Sequence, residues 1–206
     1  MKYRVNLFEQ LKSQPYFEKR AVRQLSEQYG LKSSTVDAYI SQTIKRKEII
    51  SLRNGLYVSA DFYHAHKSDI SYMFYLANIL RRPSYVSSWT ALQYYNLTTE
   101  VIHATMSVTA KTTRDYKTKA GDFAYQSIQK QLFADFTLVK RSFTFFIASP
   151  AKALFDLLYF RTRQFTGVQL ENIDALIEEL RIDFAEMDEQ EQRAFYAMVK
   201  KHLHHE

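Results

Sequence analysis

Cysteine is absent from this sequence. That excludes disulfides and thiolate metal sites, and it accords with a reducing compartment. Glycine is nearly as scarce: there are four, Gly30, Gly55, Gly121 and Gly167. No two lie close enough to build a dinucleotide-binding turn or a P-loop, and each falls at a predicted break. No HExxH, GxSxG or protein-kinase motif set occurs. No apolar run approaches the ~20 residues of a membrane span. The opening MKYRVNLFEQLK lacks the apolar core of a secretory signal. These absences predict a cytoplasmic protein, off the membrane, with no cofactor, no metal and no recognisable catalytic centre.

What is present is a large apolar fraction, 46% of 206 residues, enough for a real core. The charge is uneven. The chain carries +6 in total. Residues 1–60 hold 11 Lys/Arg against 5 Asp/Glu, residues 101–141 hold 7 against 3, and residues 142–206 hold 7 against 11. A basic first third beside an acidic last third points to a polyanion-binding module at the start of the chain.

That first third is the most readable part of the sequence. Glu18 to Tyr29 places Ala21, Val22, Leu25 and Tyr29 on one helical stripe. Gly30 follows, where a helix end favours a left-handed residue. Ser33 or Ser34 is expected to cap a further helix that buries Val36, Ile40 and Ile44. Beyond Lys45-Arg46-Lys47, two apolar runs flank Asn54-Gly55, a hairpin signal whose type I′ turn needs positive φ at both central residues. Helix, Gly-containing turn, helix and hairpin together predict a winged helix-turn-helix. A preceding helix is expected from Tyr3 to Ser13, with Val5, Leu7, Phe8 and Leu11 inward and Pro15 beyond its end.

The remainder alternates helices and strands. Helices are predicted over residues 69–82, 89–95, 151–163, 170–180 and 189–202, and strands over 103–109, 123–127 and 143–148. The segment 110–122 reads as a polar link. The predicted class is therefore α+β: an N-terminal winged helix-turn-helix (residues 1–62), then a mixed α/β C-terminal domain (residues 63–206) with a small sheet covered by helices. A fragment of residues 1–62 is expected to fold alone, though marginally.

With Val36, Ile40 and Ile44 inward, the DNA-facing residues of the helix after Gly30 are predicted to be Ser34, Thr35, Asp37, Ala38, Ser41, Gln42 and Lys45. Lys32, Lys45, Arg46 and, at the hairpin turn, Arg53 and Asn54 are expected to meet the DNA backbone or a minor groove. Lys111, Arg114, Lys117 and Lys119, four cations within nine residues, form a possible second DNA contact or an ordinary solvated loop. Asp115-Tyr116-Lys117 matches half of a metal-dependent nuclease site, but that chemistry needs a strand and a second fixed carboxylate. His202, His204 and His205 read as a helix tail. Trp89, Tyr94 and Tyr95 could stack bases, but aromatics at helical spacing read better as core.

Two later motifs carry a resemblance. Ser87-Ser88-Trp89-Thr90-Ala91-Leu92 and Ser149-Pro150-Ala151-Lys152-Ala153-Leu154-Phe155-Asp156-Leu157, in this order behind a winged helix, resemble the AbiEi family of antitoxins. The likeness covers about residues 4–182. It departs at Lys47-Glu48, where a glycine is expected near the end of the recognition helix. The resemblance implies a transcriptional autorepressor that binds its own promoter at inverted repeats. Its C-terminal domain would counteract a nucleotidyltransferase toxin, without a stable complex, in a phage-defence pair. Read from the residues alone, the chain stops at a winged-helix DNA binder whose second domain senses a ligand or dimerises.

Overall fold

A computed structural model of the protein describes residues 7–203. Tyr3 and Val5 of the expected first helix, and His204 and His205 of the tail, lie outside the described residues. Leu7 to Glu9 is helical and gives way to turns through Ser13. A short strand that the sequence does not announce, β1 (Phe17–Glu18), leads into α1 (Lys19–Glu27). Helix α2 (Ser33–Lys45) follows. Its cap position is Lys32 with no side-chain capping bond, so neither Ser33 nor Ser34 caps it. It buries Val36, Ile40 and Thr43, and Ile44 is only half-buried.

The end of α2 is a Schellman motif. Lys47 N–H donates to the Ile44 carbonyl (2.9 Å) and Glu48 N–H to the Thr43 carbonyl (3.1 Å). The motif demands a left-handed residue, and Lys47 takes it at φ 61°.

β2 (Ile49–Arg53) and β3 (Leu56–Ser59) form the hairpin, and β1 joins the other edge of β3 in a three-stranded antiparallel sheet ordered β1-β3-β2. The turn differs from expectation. Only Gly55 has positive φ (78°), and a bulge between Ser51 and Arg53 shifts the register. The type I′ turn predicted from Asn54-Gly55 does not form, because Asn54 stays outside the left-handed region.

Two helices lead on, α3 (Ala60–His66) and α4 (Ile70–Leu80). The latter is capped by Asp69, whose carboxylate accepts from Ser71 N (2.9 Å) and Ser71 Oγ (2.7 Å). The main sheet contains β4 (Ser84–Val86), β5 (Ala104–Thr109), β6 (Arg114–Thr118), β7 (Gly121–Ser127), β8 (Phe136–Val139) and β9 (Phe145–Ala148). Their spatial order is β6-β7-β5-β4-β9-β8, with β5–β7 and β4–β9 parallel and the other pairs antiparallel. The fold is thus α+β, with helices, a mixed six-stranded sheet and a small sheet. The expected polar link 110–122 is corrected: most of it is the edge strand β6 and its tight turn into β7.

Helices cover both faces of this sheet. Tyr125 and Phe145 lean onto α4, where Tyr125 OH donates to Ala77 O (2.6 Å) and Phe145 meets Phe74 edge to face. Tyr85 points the other way, toward α6 (Pro150–Arg161). That face also carries α5 (Ser88–Tyr94), and α6 packs in turn on α8 (Glu189–Leu203). A short helix, α7 (Ile173–Glu179), precedes α8. Trp89, Tyr94 and Tyr95 are half-buried against the core, and Tyr95 OH donates to Ala148 O (2.9 Å).

The small sheet has two buried faces. Phe17, Ile49 and Tyr57 join Leu7, Phe8, Leu11, Val22, Val36 and Ile40 in the helix-pair core. Ile50, Leu52, Leu56 and Val58, on the alternate face, belong to the large core of the rest of the molecule.

Candidate nucleic-acid interface

The outward side of α2 is made by the residues its buried stripe leaves over. Lys32, Ser34, Ala38, Ser41, Gln42, Lys45 and Arg46 are exposed, and Thr35 is half-buried. Among the described residues, the side chains of Ser34, Ser41, Gln42, Lys45 and Arg46 make no hydrogen bond or ion pair, so their donors and acceptors face solvent unspent. Asp37 differs. Its carboxylate meets Lys19 Nζ at 2.9 Å and Arg23 Nη2 at 3.4 Å on α1. The Lys19 hydrogen bond holds it below the usual carboxylate range. Asp37 therefore ties the two helices together and is not free to read a base.

The hairpin turn is not a free tip. Arg53 Nε donates to Leu80 O (3.1 Å), which lays its guanidinium against the end of α4. Around it opens a cleft of about 460 Å³ lined by Arg53, Asn54, Arg81, Arg82, Lys111 and Arg114, with Glu18 the one carboxylate on its wall. The structure thus divides the four cations of the basic segment. Lys111 and Arg114 enter the cleft. Lys117, exposed opposite Asp122 on β6, and Lys119, in the β6–β7 turn, do not. Arg81 and Arg82 are missed by sequence reasoning. Their signal is the pair of arginines before Pro83, which reads as an ordinary basic helix end.

Asp115 and Lys117 do lie on a strand, at register positions that share a face with Asp122. No group of three His, Asp or Glu side chains that could hold a metal occurs among the described residues. His202 packs its ring against Phe155, Tyr159 and Phe165.

The two motifs that carry the family resemblance meet inside the large core. Asp156 (0% exposed) accepts from Ser87 Oγ at 2.7 Å and Tyr85 OH at 3.0 Å, and pairs with Lys152 Nζ at 2.8 Å. Lys152 (1% exposed) also donates to Leu132 O at 2.7 Å. Burial raises the Asp156 carboxyl above its ordinary range, against the pull of Lys152, Ser87 and Tyr85. Ser87 occupies the cap position of α5 without capping it. It spends its hydroxyl on Asp156 instead, and Ser88 enters the helix at φ 52°. The network is closed to solvent and positions α5 against α6.

No helix among the described residues is long and apolar enough to cross a membrane. A comparison with protein-family models finds none that matches this chain, and a comparison with curated proteins finds no match either.

Proposed function

We propose that the protein is a sequence-specific DNA-binding repressor whose first 62 residues work as a winged helix. The observation that supports it most is the outward row on α2: hydroxyls, an amide and cations, exposed together and uncommitted to any partner among the described residues. Side chains of that kind on a helix that follows a tight turn suit base edges and phosphates in a major groove. Ser34, Ala38, Ser41 and Gln42 then face bases, and Lys32, Lys45 and Arg46 face phosphates. Arg53 meets the backbone, since its bond to Leu80 holds it back from a minor groove. The resemblance to AbiEi antitoxins extends the proposal: the DNA is the protein's own promoter, and the C-terminal part counteracts a nucleotidyltransferase toxin encoded beside it.

Footprinting on the DNA upstream of its own gene tests the first part. Protection of inverted repeats is expected, and no protection at low salt removes the proposal. Gln42→Ala should weaken operator binding by roughly 1–3 kcal/mol and binding to random DNA little. Equal losses would show that Gln42 reads no sequence. Removing Lys45 and Arg46 should flatten the log–log salt dependence by about 0.9 for each phosphate left without its cation. Co-expression with the neighbouring toxin, scored as growth, tests the second part, and no rescue by the full chain overturns it.

A further inference from the structure

We propose that the cleft between the hairpin and the edge of the main sheet is a binding site for a small, multiply charged phosphate compound. This goes beyond the DNA proposal and does not depend on it. Five cations line the cleft, Arg53, Arg81, Arg82, Lys111 and Arg114, against the single carboxylate of Glu18. None of the five has a carboxylate within ion-pair distance among the described residues. Cations with no ion pair among the described residues occur elsewhere too, such as Lys45 and Arg46, but those stand on an open helix face, whereas these five line one concavity. Gathering unpaired like charges raises the energy of the empty site, and an oxyanion removes that repulsion.

The guanidiniums are also set in place by neutral acceptors, which fix their direction without neutralising them. Arg53 Nε is held by Leu80 O. Arg81 Nη2 donates to Thr112 O and to Thr112 Oγ1 (2.8 Å). Arg82 Nη2 reaches Tyr16 OH (3.4 Å). Arg114 lies over the Tyr116 ring at 5.3 Å. Held forks of this kind match phosphate oxygens two at a time.

The shape favours a small compound over a duplex backbone. The cations converge on one concavity from three separate segments: the hairpin turn, the end of α4, and the approach to β6. Its volume falls in the range of small-molecule sites. A duplex backbone would touch the rim, whereas a compound with two or three linked phosphates is small enough to enter the concavity that the five cations line. A nucleotide-sized ligand would also find the half-buried Tyr116 on the wall.

The probes are inorganic pyrophosphate, inorganic tripolyphosphate and ATP, added to the full chain at matched ionic strength and followed by thermal unfolding. Tripolyphosphate at a hundredfold excess over its Kd should raise the midpoint by roughly 5 °C. The double variant Lys111→Ala/Arg114→Ala should lose most of that shift. Both side chains are exposed, and an unchanged midpoint without ligand would show that the variant folds normally. The control Lys117→Ala/Lys119→Ala removes the same charge outside the cleft and should keep the shift. Absence of stabilisation by all three probes overturns the proposal. So does an equal loss in both double variants, which would mean diffuse charge attraction. A shift with a short random duplex that the Lys111→Ala/Arg114→Ala variant loses also overturns it, because the cleft would then be part of a DNA footprint.

Discussion

Lys47 is a lysine where the backbone wants glycine. At φ 61° its Cβ crowds the following carbonyl, a strain of about 1–2 kcal/mol for a non-glycine residue. Glycine regains part of that and gives some back through a freer unfolded chain. Lys47→Gly is therefore expected to stabilise the protein by about 0.5–1 kcal/mol, seen as a higher urea midpoint at unchanged slope. A lower midpoint would mean that the lysine side chain holds something here. Asp69 gives a pH prediction. Its hydrogen bonds to Ser71 hold its carboxyl below the ordinary value. Its folded pKa is thus depressed, so its contribution is complete above the unfolded value of about 3.9 and is lost as pH falls through the folded one. Asp69→Ala should cost about 1 kcal/mol at pH 7 and progressively less as pH falls through the folded value. A loss that persists undiminished in acid would show that the cap is not acting through its charge.

At the scale of elements, α6 carries a buried ion pair, Lys152 with Asp156, and Ser87 at the start of α5 docks onto it by donating to Asp156. Removing either partner leaves a charge with no water to turn to. Asp156→Asn or Lys152→Met alone should cost about 3–5 kcal/mol, whereas replacing both by apolar residues should cost far less than the two losses together. Small, additive losses in denaturant titrations would show that Leu132 O satisfies Lys152 without Asp156. These helices are legible in the sequence because each carries an apolar stripe and a break at its end, as at Ser149-Pro150. Three strands of the main sheet are not. β4 is only three residues long. β6, Arg-Asp-Tyr-Lys-Thr, is an edge strand with charged residues at three of five positions, which hides any alternation. β8 leaves Leu138 exposed, so its pattern does not separate an inner from an outer face. The outward face of α2 can be read from its period. The cationic cleft cannot, since Arg53, Arg81 and Lys111 are neighbours only through the packing of the hairpin against α4 and β6.

For the whole molecule, the small sheet decides what can be separated. A cut after residue 62 follows a completed hairpin, and by sequence it looks harmless. In the structure it strips Ile50, Leu52, Leu56 and Val58 of their partners in the large core. At about 1.5–3 kcal/mol for each such side chain, the loss exceeds what so small a unit can spare. A fragment of residues 1–62 is expected to be largely unfolded or aggregated, as judged by circular dichroism and size-exclusion chromatography. A soluble, cooperatively melting fragment would show that those four residues repack by themselves. Tyr72 OH, donating to Pro15 O at 2.8 Å, adds a further bond across the same seam. The hairpin is thus a party wall, owned by both rooms. Chimaeras that graft a foreign helix pair onto this chain must carry over the residues facing Ile49 and Tyr57 while keeping this hairpin's opposite face, so that specificity can be exchanged one wall-surface at a time but never by swapping the room.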